Sequence, residues 1–457
     1  MGSVGLNFGS ATSGAGFDVT STVAAIVNNL QVVENPWKSE IAALQAKDAA
    51  FTKIGTDLST LTTNLQALTD FQGALSAKQG SSSNTNILTL TNATATATAG
   101  SHTITVSQLA QTSSEYSGVV ANASDTLSGS LTIQVGSGTA QTITVGSSSN
   151  TLATFAAAIN AAGIGVAANV ITDSSGSRLS LVSGTSGAGG QLTLSGTGLT
   201  DATTSAAIGF TVGQSGQDAS FNVDGIALTS AGNTVTGAIP GVTFQLLSSS
   251  PGTPVQVQIA NDNTAVETAV QSFATSYNTV VADIAAQEQN GANGQPQPLF
   301  GDTTLAELQQ SLASALNSGA PSGGIGSMSQ LGLSANQDGT LTLNTSTLDG
   351  ALNANYGDVV GFLQNSGSFG QNFASVLNQV DNQAPDGTVY LALQQDSQQE
   401  TALNADITSQ NLLISQQQAT LTTELNAANT TLTEIPAQLN EVSQIYSAIS
   451  GYVAPRF

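Results

Sequence analysis

Residues 407–449, ITSQNLLISQQQATLTTELNAANTTLTEIPAQLNEVSQIYSAI, decide the fold because their apolar side chains recur at heptad spacing. One row repeats at every seventh residue: Ile407, Ile414, Leu421, Ala428, Ile435, Val442 and Ile449. A second row, offset by alternating steps of four and three, is Leu425, Leu432, Leu439 and Tyr446. This pattern predicts a long helix whose apolar stripe needs a partner helix. Pro436 follows a seam position, so a kink or hinge is expected there.

The N-terminal segment carries a matching pattern. Its apolar rows are Leu30, Trp37, Leu44, Phe51, Leu58 and Leu65, interleaved with Ile54, Leu61 and Leu68. A stripe of this length is costly to leave in water, so it must meet the other terminus, another copy or a different helical partner. The predicted partner-helix seam is Leu44, Phe51, Leu58, Leu65, Ile407, Ile414, Leu421, Leu425, Leu432, Ile435, Leu439, Val442, Tyr446 and Ile449. Both ends therefore indicate a protein that works by assembling.

The charge balance excludes several functional classes. The 457 residues include 6 basic and 29 acidic ones, which gives a formal net charge of −23. Between Lys78 and Arg456 the only basic residue is Arg178. Such a chain repels phosphate backbones and anionic lipid, so we expect no nucleic-acid binding. Because no run approaches the ~20 apolar residues of a membrane span, we also expect no membrane insertion.

The chain contains no cysteine, and residues 1–16 lack the basic and apolar regions of a secretory signal peptide. The lack of thiols suits a chain that crosses compartments unfolded and relies on packing alone. Two locations stay open on these grounds: the cytoplasm, or the outside of the cell by a route that reads no cleavable signal.

Helical and strand periodicities alternate along the chain. Helical spacing is predicted at residues 19–33, from Pro36 to about Leu75, and again after residue 263, whereas a period of two dominates residues 86–260. Asp224-Gly225 and Asp338-Gly339 predict hairpin turns. The fold class expected is multidomain α+β, with paired coiled-coil-like terminal helices, a mixed helix/β core domain and β-rich inserted domains.

This layout predicts nested domains, in which each inserted domain interrupts the one outside it. The predicted units are terminal helical segments at 1–40 and 396–457, partly disordered when free; a helix-rich core domain at 41–85 and 262–395; a β-rich inserted domain at 86–109 and 211–261; and an outermost β-rich inserted domain at 110–210.

The sequence offers little for catalysis or metal binding. His102 is the only histidine, it stands in a Gly-Ser-His-Thr turn that leads into a strand, and a polar role at a strand edge is expected. Residues 336–339 resemble the opening of a calcium loop, but threonines follow where the loop needs acidic or amide ligands. No Gly-rich loop ends in Gly-Lys-Ser/Thr. We therefore expect no catalytic residues, no cofactor, no metal site and no enzyme activity.

Several motifs, in order along nearly the whole chain, resemble the flagellar filament cap family (hook-associated protein 2, the FliD family). Near the N-terminus they are Gly14-Ala15-Gly16-Phe17-Asp18-Val19, then Glu34-Asn35-Pro36, then residues 99–111, AGSHTITVSQLAQ. The C-terminal half contributes FNVDG at 221–225, IPGVT at 239–243, FATSYN at 273–278 and LGLSANQDGTL at 331–341. Each motif is weak alone, but their order makes the resemblance specific.

The resemblance implies a structural protein of the bacterial flagellum that serves motility. It implies an oligomeric plate at the filament tip that promotes insertion of exported flagellin and prevents its loss. The implied partners are the chain itself in a ring-like homo-oligomer, flagellin, hook–filament junction proteins and a cytoplasmic export chaperone. Secretion would use flagellar type III export without a cleavable signal peptide. Two alternatives stay open: another flagellar axial protein, junction-like or flagellin-like, and a surface adhesin that binds host ligands through its β insertions.

Overall fold

The computed structural model describes residues 15–196, 198–292, 294–381 and 385–451. The chain divides into a helical unit, Met1–Thr69 with Ala269–Phe457, and a β unit, Asp70–Thr268. The helices of the described residues are α1 Val19–Gln31, α2 Asn35–Thr69, α3 Leu152–Ala161, α4 Asn263–Gln287, α5 Thr303–Leu316, α6 Thr345–Ala354, α7 Tyr356–Gln364, α8 Phe369–Val380 and α9 Thr388–Ser450.

The strands are short and pair in antiparallel fashion. Their bounds are β1 Lys78–Ser82, β2 Leu88–Ala93, β3 Gly100–Gln108, β4 Thr112–Ser117, β5 Leu127–Ser128, β6 Ser130–Val135, β7 Gln141–Thr144, β8 Val166–Asp173, β9 Gly176–Ser186, β10 Leu192–Ser195, β11 Thr200–Asp201, β12 Ala206–Ala207, β13 Phe210–Gln214, β14 Ala219–Val223, β15 Ile226–Ser230, β16 Thr234–Ile239, β17 Val242–Leu246, β18 Val255–Asn261, β19 Leu333–Ala335 and β20 Leu341–Leu343. The predicted α+β class, with helices at both ends and a β-rich middle, is confirmed.

An aromatic cluster lies in the core of the helical unit, where α4, α7 and α8 meet. Phe273 and Phe373 pack edge to face at 5.4 Å between ring centroids, and Phe362 stacks on Phe369 at 5.3 Å. Burial raises the pKa of Tyr277 in this cluster to about 12. Aromatic pairs of this geometry add about 0.5–1.5 kcal/mol each beyond the area they bury.

The β unit contains two hydrophobic cores. In the first, a five-stranded sheet in the order β1-β18-β3-β14-β15 and a three-stranded sheet in the order β16-β17-β2 contribute buried side chains. Phe221 and Phe244 meet there edge to face at 5.8 Å. The sequence supplies this core through strands whose alternate residues are apolar.

The second core belongs to the part of the β unit between residues 110 and 214. A four-stranded sheet in the order β13-β4-β9-β8 and a three-stranded sheet in the order β10-β6-β7 enclose it. Helix α3 adds Leu152, Phe155 and Ile159, all fully buried. Thr151 caps this helix by a capping box with Thr154, which fixes where it begins. The division into four nested domains stays a prediction, since the structure gives two compact units and two cores within the β unit.

The two hairpin turns predicted at Asp-Gly pairs are present. The predicted end of one helix is wrong. Asp224 (φ 50°) and Gly225 (φ 86°) join β14 to β15, and Asp338-Gly339 joins β19 to β20. Helix α2 ends at Thr69 rather than near Leu75. The side chain of Asp70 accepts a hydrogen bond from the Gln72 N–H at 2.9 Å, and such a local bond offers the backbone an alternative to the helix.

Candidate functional site on the C-terminal helix

The N-terminal part of the predicted seam is buried inside this chain. Leu44, Phe51, Leu58 and Leu65 lie on α2 and are almost fully covered. Helices α8 and α9 pack against α2 and supply part of that cover. These four side chains therefore stabilise the helical unit itself, and whether they also serve a partner helix stays a prediction.

Helix α9 runs antiparallel to the N-terminal helices. The Phe17 N–H donates to Asn429 Oδ1 at 2.8 Å, and Gln399 Nε2 donates to Glu40 Oε1 at 2.6 Å, so the order along the two segments is opposite. Gly16 has φ 64°, and a Cβ there would come within 2.4 Å of Asn429 Oδ1. Glycine at this position therefore allows the close approach of the chain to α9.

The middle of α9 is covered by α1. Val19, Val23 and Val27 form one stripe of α1, and they pack in a buried cluster with Ile414. Leu421 and Leu425 lie against this cluster and are half-buried. Asp18 caps α1 through a hydrogen bond from the Ser21 N–H, which fixes where the stripe begins. Ile407, Leu432 and Ile435 of the predicted seam are also half-buried.

The distal end of α9 exposes its apolar side chains. Leu439, Val442, Ile445 and Ile449, which we call the distal stripe, are between 51% and 82% exposed. Their spacing of three, three and four residues places them within about 120° of the helix surface. Tyr446, also of the predicted seam, is 61% exposed on the same side. The distal stripe is thus a continuous apolar surface on a solvent-facing helix.

Pro436 lies at the boundary between the half-covered part of α9 and the distal stripe. The helix continues through it from Thr388 to Ser450. Proline has no N–H, so the usual bond to the carbonyl of Leu432 is missing and the helix is weakened at this level. The expected kink or hinge stays a prediction.

The proximal part of α9 meets α2 through carboxylates. Asp48, Asp396 and Glu400 each have one buried side-chain oxygen with no hydrogen-bond partner among the described residues. Burial first, and then the charges of Asp396 and Glu400, raise the pKa of Asp48. Burial also raises the pKa of Asp396. The contact between these two helices is therefore weakened by like charges at neutral pH.

The charge of the nearby Lys47 is shared between this group of carboxylates and Asp302. Its Nζ lies 3.1 Å from Asp302 Oδ2, and Asp302 also caps α5 by accepting the Thr304 N–H. Sequence reasoning missed this arrangement because Asp48, Asp302 and the α9 pair Asp396 and Glu400 come from three distant parts of the chain.

His102 contacts Asp224, the first residue of the turn between β14 and β15. His102 Nδ1 lies 2.7 Å from Asp224 Oδ2, while the Thr103 N–H donates to Asp224 Oδ1 at 2.8 Å. The bond from Thr103 and then the bond to His102 lower the pKa of Asp224. His102 lies in β3, two residues after that strand begins at Gly100, and β3 is the middle strand of its five-stranded sheet. The expected polar role at a strand edge stays a prediction.

The described residues contain no metal-binding cluster and no membrane-spanning helix. No three of their His, Asp or Glu side chains gather closely enough to hold a metal ion. Asp338 accepts hydrogen bonds from Thr340 within its hairpin, as a plain Asp-Gly turn does. None of the helices in residues 15–451, apart from the few undescribed positions, has an apolar stretch long enough to cross a bilayer.

Comparisons with known proteins agree with one another. A family model of the flagellar hook-associated protein 2 C-terminus matches residues 216–439, and a model of its N-terminus matches residues 15–113. The B-type flagellar hook-associated protein 2 of Pseudomonas aeruginosa is 28% identical over 370 residues, covering 74% of this chain and 75% of the relative. The crystal structure of the D1-D2-D3 domains of the flagellar cap protein FliD from Escherichia coli is 25% identical, covers 76% of this chain and 99% of its own, and has a TM-score of 0.58.

Proposed function

The chain belongs to the flagellar hook-associated protein 2 family, and we propose that it caps the flagellar filament as a ring-like homo-oligomer. In this role it promotes insertion of exported flagellin subunits at the tip and prevents their loss. The protein is structural, and its work is done by contacts between subunits. The alternatives of another axial protein or of a dedicated adhesin are not favoured.

The distal stripe carries the proposal for how the cap holds the filament. Its four apolar side chains are at least half exposed, on a helix that already packs against α1 further back. Apolar anchors at spacings of three and four residues suit a helix that docks on another helix. We assign that partner to the helices of flagellin or of a hook–filament junction protein at the filament end.

The strength of such a contact fits a cap that moves as subunits enter. Burying the exposed part of these four aliphatic side chains stabilises a complex by roughly 4–8 kcal/mol, from about 1.5–3 kcal/mol for each full side chain. Ordering and association oppose this by several kcal/mol. The net affinity is therefore moderate for one subunit and becomes large only when several subunits of a ring engage together.

The remaining roles follow from the family and from composition. The chain lacks cysteine, so unfolded passage through the flagellar type III export channel needs no disulfide chemistry. A cytoplasmic export chaperone would cover the apolar surface of α9 before export. The working location is the outside of the cell at the flagellar tip. Binding of host ligands by the outer β strands stays a prediction.

Electron microscopy of purified protein mixed with sheared filaments tests the proposal. We expect density at one end of each filament and none along its sides, because only the end exposes unpaired subunit helices. Lateral decoration, or growth of filaments from this protein alone, would instead indicate an axial subunit. Absence of binding to any part of the filament would contradict the capping role.

A further inference from the structure

One face of the four-stranded sheet β13-β4-β9-β8 is open to solvent. The pairs Ile171–Arg178 and Asn169–Ser180 place these side chains on the same face, and Tyr116 pairs with Ser180 from the next strand. The opposite face, with Leu179 and Leu181 among others, forms the second core of the β unit. Tyr116 and Ile171 are 39% and 58% exposed.

Arg178 lies on this face close to the β8–β9 turn, without a salt-bridge partner among the described residues. Its guanidinium carbon lies 5.9 Å from the centre of the Tyr116 ring, and Nη1 donates to the Ser117 carbonyl at 3.4 Å. No salt bridge joins it to any described residue. The nearby Asp173 accepts hydrogen bonds from Ser175, and these bonds first, and then the charge of Arg178, lower the pKa of Asp173. Most donors of the guanidinium fork are therefore available to a ligand.

The composition makes this arginine unusual. It is the only basic residue among residues 79–455, in a chain with 29 acidic side chains. Two such chains repel each other over long distances, so their association needs a local attractive contact. An arginine that is stacked on a tyrosine and flanked by an exposed isoleucine has the composition of a binding hot spot.

We propose that the Arg–Tyr face, defined as Tyr116, Ile171 and Arg178, binds a carboxylate-bearing surface of a second copy of this chain. The contact is a bidentate pair between the guanidinium and an acidic side chain, desolvated by Tyr116 and Ile171. Because the proposed oligomer is a ring, we assign the contact to the head-to-tail type, which is the type that closes into a ring. This inference rests on the proposed homo-oligomer and assigns one of its surfaces.

The test compares the mass of the full-length protein with that of two charge-reversal variants by sedimentation at low salt. We expect Arg178→Glu to weaken self-association by about tenfold or more, which is the effect of losing a close charge pair at an interface. Lys78→Glu is the matched control, because it makes the same charge change in the same unit, where Lys78 Nζ bonds only the Asn261 amide oxygen at 2.7 Å. Equal masses for wild type, Arg178→Glu and Lys78→Glu would overturn the inference.

A labelling measurement keeps the result readable if Arg178→Glu folds poorly. The chain has no cysteine, so Asn169→Cys places a single thiol on the Arg–Tyr face and Ala140→Cys places one on an exposed loop of the same unit. Self-association should slow maleimide labelling at position 169 and leave position 140 unchanged. Equal labelling at both positions in the assembled protein would exclude this face from the contact.

The outcomes separate this inference from the capping role. If the wild type binds filament ends and Arg178→Glu assembles as the wild type does, the assignment of the Arg–Tyr face is refuted and the capping role still stands. Failure of the wild type to bind filament ends would remove the capping role instead. If the free protein is monomeric, the three proteins are compared on filament ends, and equal occupancy by Arg178→Glu overturns the inference. Protection of position 169 by filaments at subunit dilutions too low for self-association would assign the face to a filament subunit and contradict a second copy.

Discussion

Replacement of Leu439 by aspartate tests whether the distal stripe docks on the filament. Leu439 is 51% exposed and precedes Val442 by three residues on the same side of α9. A helix partner that covers the stripe must cover this side chain as well. Aspartate adds a charge at that point without disturbing the buried cluster around Ile414 further back along the helix.

The size of the effect follows from two contributions. About half of the leucine remains to be buried, so its loss removes about 0.8–1.5 kcal/mol of binding free energy. Desolvation of the new carboxylate without a partner costs about 1–3 kcal/mol more. The sum of roughly 2–4 kcal/mol corresponds to about a thirtyfold to several-hundredfold rise in Kd.

The assay is a titration of filament ends followed by electron microscopy, in which the occupied fraction of ends gives the Kd. Gln444→Asp is the matched control, because it adds the same charge at an exposed position roughly opposite Val442 on the helix. We expect Gln444→Asp to bind as the wild type does. Equal binding by Leu439→Asp and Gln444→Asp would refute the assignment of the distal stripe.

Three further predictions concern stability. Glu115 is 7% exposed and burial raises its pKa, so the stability of the β unit should rise as the pH falls through the folded pKa towards about 4.3, the value in the unfolded chain. Glu115→Gln should stabilise the β unit at pH 7 by about 1 kcal/mol, which raises its melting temperature by several degrees. Calorimetry of this variant should also show a smaller gain in stability as the pH falls. Asp48→Asn should stabilise the helical unit in urea by about 1 kcal/mol at pH 7, and by less as the pH falls through the raised pKa of the Asp48 carboxyl, because protonation removes the same repulsion. Pro436→Ala should strengthen the distal part of α9 by up to about 3 kcal/mol, seen as slower amide hydrogen exchange after residue 436; unchanged exchange would contradict a weak point there.

Local patterns predicted the elements of this fold well. The heptads at 407–449 gave the existence of α9, and Asp-Gly pairs gave two hairpins because glycine readily adopts the positive φ that such turns require. The predicted end of α2 was wrong for a reason that is also local. The hydrogen bond from the Gln72 N–H to the Asp70 side chain offers the backbone an alternative to the helix, and apolar spacing carries no information about that bond.

The sequence predicted an apolar stripe on α9 but not which part of that stripe is exposed. A heptad row has the same spacing whether its partner is the same chain or another one, so sequence could not distinguish Leu58, which is fully buried, from Ile449, which is 82% exposed. The cluster of Asp48 with Asp396 had no sequence signal, because chain topology alone brings these residues together. The Arg–Tyr face was equally hidden, although the isolation of Arg178 in an acidic sequence was visible from the start.

The cover on α9 changes along its length in a way that suits a movable anchor. Its proximal part lies against α2, where the like charges of Asp48, Asp396 and Glu400 weaken the contact, and its middle part packs on the valines of α1 around Ile414. Beyond Pro436 the apolar side chains face solvent. The middle contact keeps the helix in register with the helical unit, and we expect the weakened backbone at Pro436 to let the distal stripe adjust its direction. A uniformly buried helix would offer no docking surface, and a uniformly exposed one would have to be ordered entirely by the filament, at a larger entropic cost.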